Sequence, residues 1–360
     1  MASRPDVAVV VPVFNKLRFL PALLDSLVAQ QTRDATFVVV AVDDGSTDGS
    51  GELLDRYAGE HGWLQVIHQP NSGWPGQPRN RGVAATDSRY VFFADADDFF
   101  GTEAIERMVA AADALSADVL LPKVVQAEAP DAPAPLYDTD YTDVPLPLRF
   151  RTLTPHKLFR RAFLDEHEIR FVEHRAPLED GMLLARAYLL ARRVSMVTDY
   201  AYYYRVDGAE TSISVRRRDP HEHRRSVETI LATVRELCDD REAVDEISLD
   251  IYRRKGLRYI GPRRMPGYPR RLRAAHVEAA ADLAESSMPR ELEDRLPPAW
   301  RWRSRLVRLR DPQASYVLAL AERAGPPPVR VRGQELVLDL GTEATVAVTA
   351  DVKLRVRDAV

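Results

Sequence analysis

Three carboxylates close an apolar run in the segment Phe93-Ala94-Asp95-Ala96-Asp97-Asp98. Carboxylates placed this close repel one another and resist desolvation unless a cation or hydrogen-bond donors neutralise them. A divalent metal ion carrying a diphosphate would do so; the plainer reading of Asp-x-Asp is an acidic turn exposed to water. Hard carboxylate oxygens select Mg²⁺ or Mn²⁺, and one or two protein ligands leave room for phosphate oxygens and water.

Other residues with chemical potential lie on both sides of this cluster. Asp43-Asp44-Gly45-Ser46-Thr47-Asp48 reads as a turn with N-cap residues, and a buried carboxylate in such a turn also suits the N3–H of a pyrimidine. Asn71-Ser72-Gly73-Trp74-Pro75-Gly76-Gln77-Pro78 is rich in turn residues and leads to Arg79. The planar donors of Arg79 suit a base carbonyl or a phosphate; the alternative is a solvated arginine at a helix start. Glu179-Asp180 precedes a long helical pattern, a position where carboxylates also act as helix caps.

These residues need a scaffold, and the hydrophobic pattern supplies one. Val7–Val13 and Phe37–Val42 are valine-rich runs of the kind found in strands covered on both faces. Helical spacing follows over Leu17–Ala29 and Ser50–Gly62, with strands expected at Leu64–His68 and Tyr90–Ala94 and a short helix near Arg79. This alternation predicts an α/β domain with a doubly wound, mostly parallel sheet, in which ligands bind at the carboxyl ends of the strands. Further on, a helix over Thr102–Ala117, a strand over Val119–Val125, helices over Leu158–His167 and Glu179–Arg192, and a strand over Val194–Tyr204 are expected. Residues 127–149, with five prolines and four aspartates, read as loop. Beyond about Asp219 the texture turns helical: His223–Asp239, Glu246–Tyr259, Leu272–Ser286 and Trp302–Arg323. Pro326-Pro327-Pro328 breaks it, and Val329–Val360 alternates like two or three strands. The expected division is 1–218, 219–325 and 326–360.

With 360 residues, 45% of them apolar, the chain can bury a full core. A net charge of −4 argues against nucleic-acid binding as its main business. Yet Tyr252–Arg273 holds nine lysines and arginines and no acid. The default reading is a solvated helix face; the glycines and prolines that interrupt it leave open a concave basic surface, which would suit a phosphate-rich acceptor. The single cysteine, Cys238, excludes an internal disulfide and reads as a small apolar residue on a helix. No secretory signal or membrane-spanning run is evident, so a cytoplasmic protein is expected, with peripheral association at the inner membrane face left open.

In order and spacing, Val9-Val10-Val11-Pro12-Val13-Phe14-Asn15, Asp43-Asp44-Gly45-Ser46, Asn71-x-Gly73 with Arg79-Asn80-x-Gly82, and Asp95-Ala96-Asp97-Asp98 resemble the inverting family 2 glycosyltransferases. The resemblance covers roughly residues 7–215 and implies a GT-A fold, a nucleotide-diphosphate-sugar donor and Mn²⁺ or Mg²⁺. It assigns Pro12, Val13, Asp44, Asn71, Arg79, Asp95 and Ala96 to the donor, with Asp95 at the ribose and Arg79 beside the uracil. Asp97, and more weakly Asp98, become metal ligands. Asp180 becomes the base that deprotonates the acceptor, with Glu179 positioning it or touching the sugar. Tyr203-Tyr204-Arg205 and Ser212 resemble a segment that closes on the donor, Arg205 and Ser212 reaching the diphosphate. The His156-Lys157-Leu158-Phe159-Arg160-Arg161 block resembles the acceptor side, although His156 reads more readily as a packed or exposed histidine.

Within the family, the combination is most similar to enzymes that glycosylate wall teichoic acids, which are anionic polymers; that likeness implies UDP-N-acetylglucosamine or another UDP-sugar as donor and a trimerising C-terminal region. A peptide or lipid-linked oligosaccharide acceptor, and a noncatalytic nucleotide-sugar-binding subunit, are the competing expectations. A nucleotidyltransferase should carry a glycine-rich phosphate loop after its first strand, which Val11-Pro12-Val13-Phe14-Asn15 lacks.

Overall fold

The structure is a computed structural model describing residues 4–132, 134–206, 219–325, 329–332 and 335–338. It divides into two compact units, Met1–Arg217 and Arg218–Val360.

In the first unit, β1 (Val7–Val13), β2 (Phe37–Asp43), β3 (Leu64–His68) and β4 (Tyr90–Phe93) alternate with α1 (Leu20–Val28), α2 (Ser50–Glu60) and α3 (Gly76–Ala84). They form the parallel half of a seven-stranded sheet. Burial explains the valines: every β1 residue except Pro12 is fully buried, so β-branched side chains fill both faces at little rotamer cost. The helix α3 lies close enough to β1 that a Cβ on Gly82 would come within 2.5 Å of Val10 Cγ1.

After β4 the topology changes. β5 (Phe99–Phe100) leaves the main sheet, α4 (Ala104–Leu115) follows, and β6 (Val119–Pro122) returns to it. The single strand expected over Val119–Val125 is therefore two. β7 (Val124–Gln126) pairs with β10 (Tyr203–Arg205), which also pairs antiparallel with β5. Likewise the strand expected over Val194–Tyr204 divides into β9 (Val194–Val197) and β10. Residues 127–149 contain a turn of 3-10 helix, Pro135–Tyr137, and α5 (Leu146–Arg149).

The helix expected over Leu158–His167 needs the larger correction. Leu158–Arg160 is β8, inserted antiparallel between β4 and β6, and the helix α6 spans only Arg161–Glu166. Leu158 and Phe159 lie in adjacent buried positions on opposite faces of the sheet, so pairing overrides helical spacing. Between α6 and β9 comes α7 (Glu179–Leu190), which begins at the predicted carboxylate pair.

The second unit is helical, with α8 (Pro220–Leu237), α9 (Arg241–Ile251), α10 (Arg270–Ser287), α11 (Arg290–Glu293), α12 (Pro298–Val307) and α13 (Pro312–Ala324). Asp219, Asp240 and Asp311 cap α8, α9 and α13 by accepting N–H groups of the first turn. The cap at Asp311, with Arg310 at φ 53°, divides the helix expected over Trp302–Arg323 into α12 and α13. After Ile251 the chain runs into a π turn and 3-10 turns rather than one helix to Tyr259. In this basic stretch Arg253 and Arg254 pair with Asp250, Arg264 covers Tyr259 and Arg273 covers Tyr316. Arg258, Arg263, Arg270 and Arg271 are exposed. In the tail, β11 (Val329–Arg332) and β12 (Glu335–Leu338) form a hairpin; the strand expected around Val346 and Val348 lies outside the described residues. No helix among the described residues is long and apolar enough to cross a membrane.

Candidate active site

The carboxyl ends of β1, β2 and β4 carry three of the predicted motifs, as the parallel sheet requires. At the end of β2, Asp44 is buried and held by donors: its Oδ1 accepts from Gln69 Nε2 at 2.6 Å and Ser72 N at 2.9 Å, and Oδ2 accepts from Ser72 Oγ at 2.8 Å. Asn71 latches the same turn by donating to the Asp44 carbonyl. Val13 is wholly in the core and its carbonyl accepts the Asp44 N–H, so its side chain is not available to a ligand. Ala96 is also a core residue, whereas Pro12 is half-buried at the strand end.

Arg79 lies among carboxylates. Its guanidinium is 4% exposed and turned to three carboxylates: Nη2 donates to Asp95 Oδ1 at 3.0 Å, and Nη1 to Asp180 Oδ1 at 2.7 Å and to Glu179 Oε1 at 3.5 Å. The Phe171 ring lies against it, 4.9 Å from the guanidinium carbon to the centroid. A buried cation must satisfy its charge locally, and these acids offer more than a neutral base carbonyl could. Arg81, two residues on, reaches the Asp44 side through Gln69 Oε1 at 3.1 Å.

Asp95 accepts from Arg79 on one oxygen and faces His156 Nε2 at 3.0 Å on the other. Burial alone would raise its pKa, but the His156 ring and Arg79 hold the carboxyl well below the usual range. His156, expected as a packing or surface residue, is thus an integral part of the site: it is 1% exposed and stacks on Tyr203 at 4.7 Å. Tyr203 in turn accepts the Asp95 N–H through its hydroxyl at 2.8 Å.

Asp98 is nearly fully buried. Its Oδ1 accepts the Val206 N–H at 2.9 Å, while Oδ2 has no hydrogen-bond partner. Burial and the neighbouring Asp95 push its carboxyl up. Asp95, Asp98 and His156 bring possible ligand atoms within 4.8 Å of one another. A buried carboxylate oxygen without a hydrogen-bond donor, beside a second carboxylate, fits a divalent cation. Asp97 is at the rim, paired with Lys16 Nζ at 2.5 Å. Arg205 Nε approaches Asp98 to 3.9 Å; Ser212 lies outside the described residues.

Glu179 and Asp180 occupy the first turn of α7, after Leu178 at φ 62°. Burial raises the Asp180 pKa, with Arg79 opposing it. Glu179 is raised as well, by burial and then by Asp180. Asp180 remains 25% exposed and so is reachable from solvent. Nearby Lys157 is buried with its ammonium on Thr152 and Thr154, and burial lowers its pKa to about 7. Sequence reasoning missed Lys16, Gln69 and Ser72 as contributors; their signal was position alone, each lying just beyond a strand's carboxyl end.

Residues 8–173 match the glycosyl transferase family 2 domain. The N-terminal unit belongs to that family. Residues 220–319 match the linker domain of the glycosyl transferase TarS. Similar proteins include poly(ribitol-phosphate) β-glucosyltransferase of Bacillus spizizenii, 32% identical over 68% of this chain and 38% of the relative. Another is poly(ribitol-phosphate) β-N-acetylglucosaminyltransferase TarS of Staphylococcus aureus, 34% identical over 55% of this chain and 35% of the relative. The chain thus spans little more than a third of the length of these relatives. The crystal structure of S. aureus TarS 1–349 in complex with UDP-GlcNAc superposes with a TM-score of 0.81 at 24% identity, covering 95% of this chain and 98% of that one. The GT-A fold expected from the motifs is therefore the fold of the first unit.

Proposed function

We propose that this family 2 protein transfers a sugar with inversion from a UDP-sugar, UDP-N-acetylglucosamine being one candidate, to a hydroxyl of an anionic poly(ribitol-phosphate)-type polymer. The observation that carries the reading is Arg79, which joins the ribose-side carboxylate Asp95 to the candidate base Asp180 in one buried network. The names of the relatives supply the donor and acceptor classes.

In this mechanism the turn around Asp44 holds the uracil, with the carboxylate preset by Gln69 and Ser72. Asp95 accepts from the ribose hydroxyls, kept ionised by Arg79 and His156. Asp97 and Asp98 would hold Mn²⁺ or Mg²⁺. When bound, such an ion supplies charge neutralisation to the departing diphosphate. Asp180 takes the proton of the acceptor hydroxyl as it attacks the anomeric carbon from the face opposite the diphosphate. Burial, which raises the pKa of Asp180, strengthens it as a base, and Arg79 both orients it and keeps it ionised.

The test is UDP release from a panel of UDP-sugars, with and without poly(ribitol phosphate). Polymer-dependent release from at least one donor is expected. Asp180→Asn should keep UDP affinity and lose turnover by about 10²–10⁴-fold, the usual worth of a general base. Turnover at the normal rate in that variant would remove Asp180 from the mechanism.

A further inference from the structure

Lys16 lies in the loop after β1, and its backbone is fixed. Its N–H donates to Ser50 Oγ at 2.9 Å. On either side, Asn15 donates to Ser46 Oγ and accepts from Thr47 N, and Leu17 N donates to Asp48 Oδ2. Asn15 sits at φ 51°, a conformation that these bonds maintain. Only the side chain is left free to move. It passes beside the Phe19 ring, 5.6 Å from nitrogen to centroid, and ends on Asp97. Both partners are more than four-fifths buried, at 17% and 16% side-chain exposure.

This ion pair occupies the carboxylate assigned above to the divalent ion. An ammonium and a divalent cation on one carboxylate repel each other, so the arrival of the ion displaces Lys16. The same event brings a diphosphate to the site, and a flexible ammonium is a good point-charge ligand for phosphate. We propose that Lys16 is a second cation for the donor's diphosphate, held on Asp97 until the divalent ion takes that carboxylate. This role rests on the donor reading above and deepens it. Its consequence is coupling: Lys16 weakens binding of the ion alone and strengthens binding of ion and nucleotide together, which favours the loaded pair over either part.

The full chain, its Lys16→Met variant and its Lys16→Arg variant are compared, with thermal unfolding confirming that each is folded. Free Mn²⁺ is measured by electron paramagnetic resonance without nucleotide, and UDP and uridine are titrated calorimetrically at saturating Mn²⁺. In Lys16→Met, Mn²⁺ alone should bind about tenfold more tightly and UDP about tenfold more weakly, with uridine unchanged; tenfold corresponds to about 1.4 kcal/mol. Lys16→Arg, which keeps the charge, should stay near wild type in both. Unchanged Mn²⁺ and UDP affinities in Lys16→Met would make the pair a static contact and overturn the proposal. Tighter Mn²⁺ with unchanged or tighter UDP would overturn the diphosphate role. If the unaltered chain bound neither uridine nor UDP, the donor reading would fall and the proposal with it.

Discussion

Arg79 decides much of the chemistry at the scale of single residues. One guanidinium serves Asp95, Glu179 and Asp180, which a lysine's point charge cannot do with the same geometry. In Arg79→Lys the counter-charge on Asp180 weakens, so its carboxyl, already raised by burial, rises further. The base works only when ionised. The acid limb of the kcat/KM profile should therefore move to higher pH, by about half a unit to one unit, with the rate at high pH approaching the plateau of the variant. A profile with an unmoved acid limb would detach Arg79 from the base. The three aspartates of the Asp95 cluster, the Glu179-Asp180 pair and Arg79 itself were all legible in sequence, because their types and order are local facts. Which of them touch was not, since Arg79 and Asp180 are separated by 101 positions. The same holds for His156, whose partner Asp95 is 61 positions away.

Elements hold these residues through close approaches that leave no space for error. Gly82 lets α3 lie on β1, where an added Cβ would meet Val10 at 2.5 Å, and Gly76 brings the start of α3 within 2.0 Å, for such a Cβ, of the Val172 carbonyl. Gly82→Ala should lower stability by about 1–3 kcal/mol, the usual effect of overpacking, and Gly76→Ala by more, because its clash is with backbone. Urea unfolding of each variant measures both, and an Ala variant as stable as the parent at position 76 would contradict the packing described. The elements were most readable where one pattern ruled: β1 to β4 and the first helices follow the valine runs and the helical spacing. Leu158–Arg160 was misread because three residues cannot display a period, and pairing with β4 and β6 decides their state. Val119–Val125 was misread for a related reason, since Pro122 ends one strand and the next joins another sheet.

For the molecule as a whole, each unit has a core drawn from its own residues. The main cluster of the first unit runs from Val7 to Tyr203, while Leu306, Ala314, Leu318 and Leu338 form a cluster in the second. The candidate donor residues all belong to the first unit. Residues 1–217 produced alone should therefore fold and bind UDP with Mn²⁺ at an affinity within about threefold of the full chain, less than 1 kcal/mol. Calorimetry checks this; a chain that folds yet binds UDP more than tenfold more weakly would place part of the donor site in residues 218–360. Polymer-dependent turnover by the short chain is a separate measurement, and its loss would assign the acceptor to the second unit, as the exposed Arg258, Arg263, Arg270 and Arg271 suggest.

By itself the sequence determined the α/β class, the parallel half of the sheet, the helical second unit and the carboxylates at the strand ends. Each of these is written in short-range terms: periodicity, turn chemistry, or an acid placed directly after an apolar run. Tertiary structure alone decided that Arg79 gathers three acids, that His156 lies against Asp95, that Lys16 rests on Asp97, and that Leu158–Arg160 is a strand. In all four cases the partner is distant in sequence, and a charge or hydrogen bond that burial would otherwise leave unpaired, fully for Arg79, His156 and the strand and partly for Lys16, selects it.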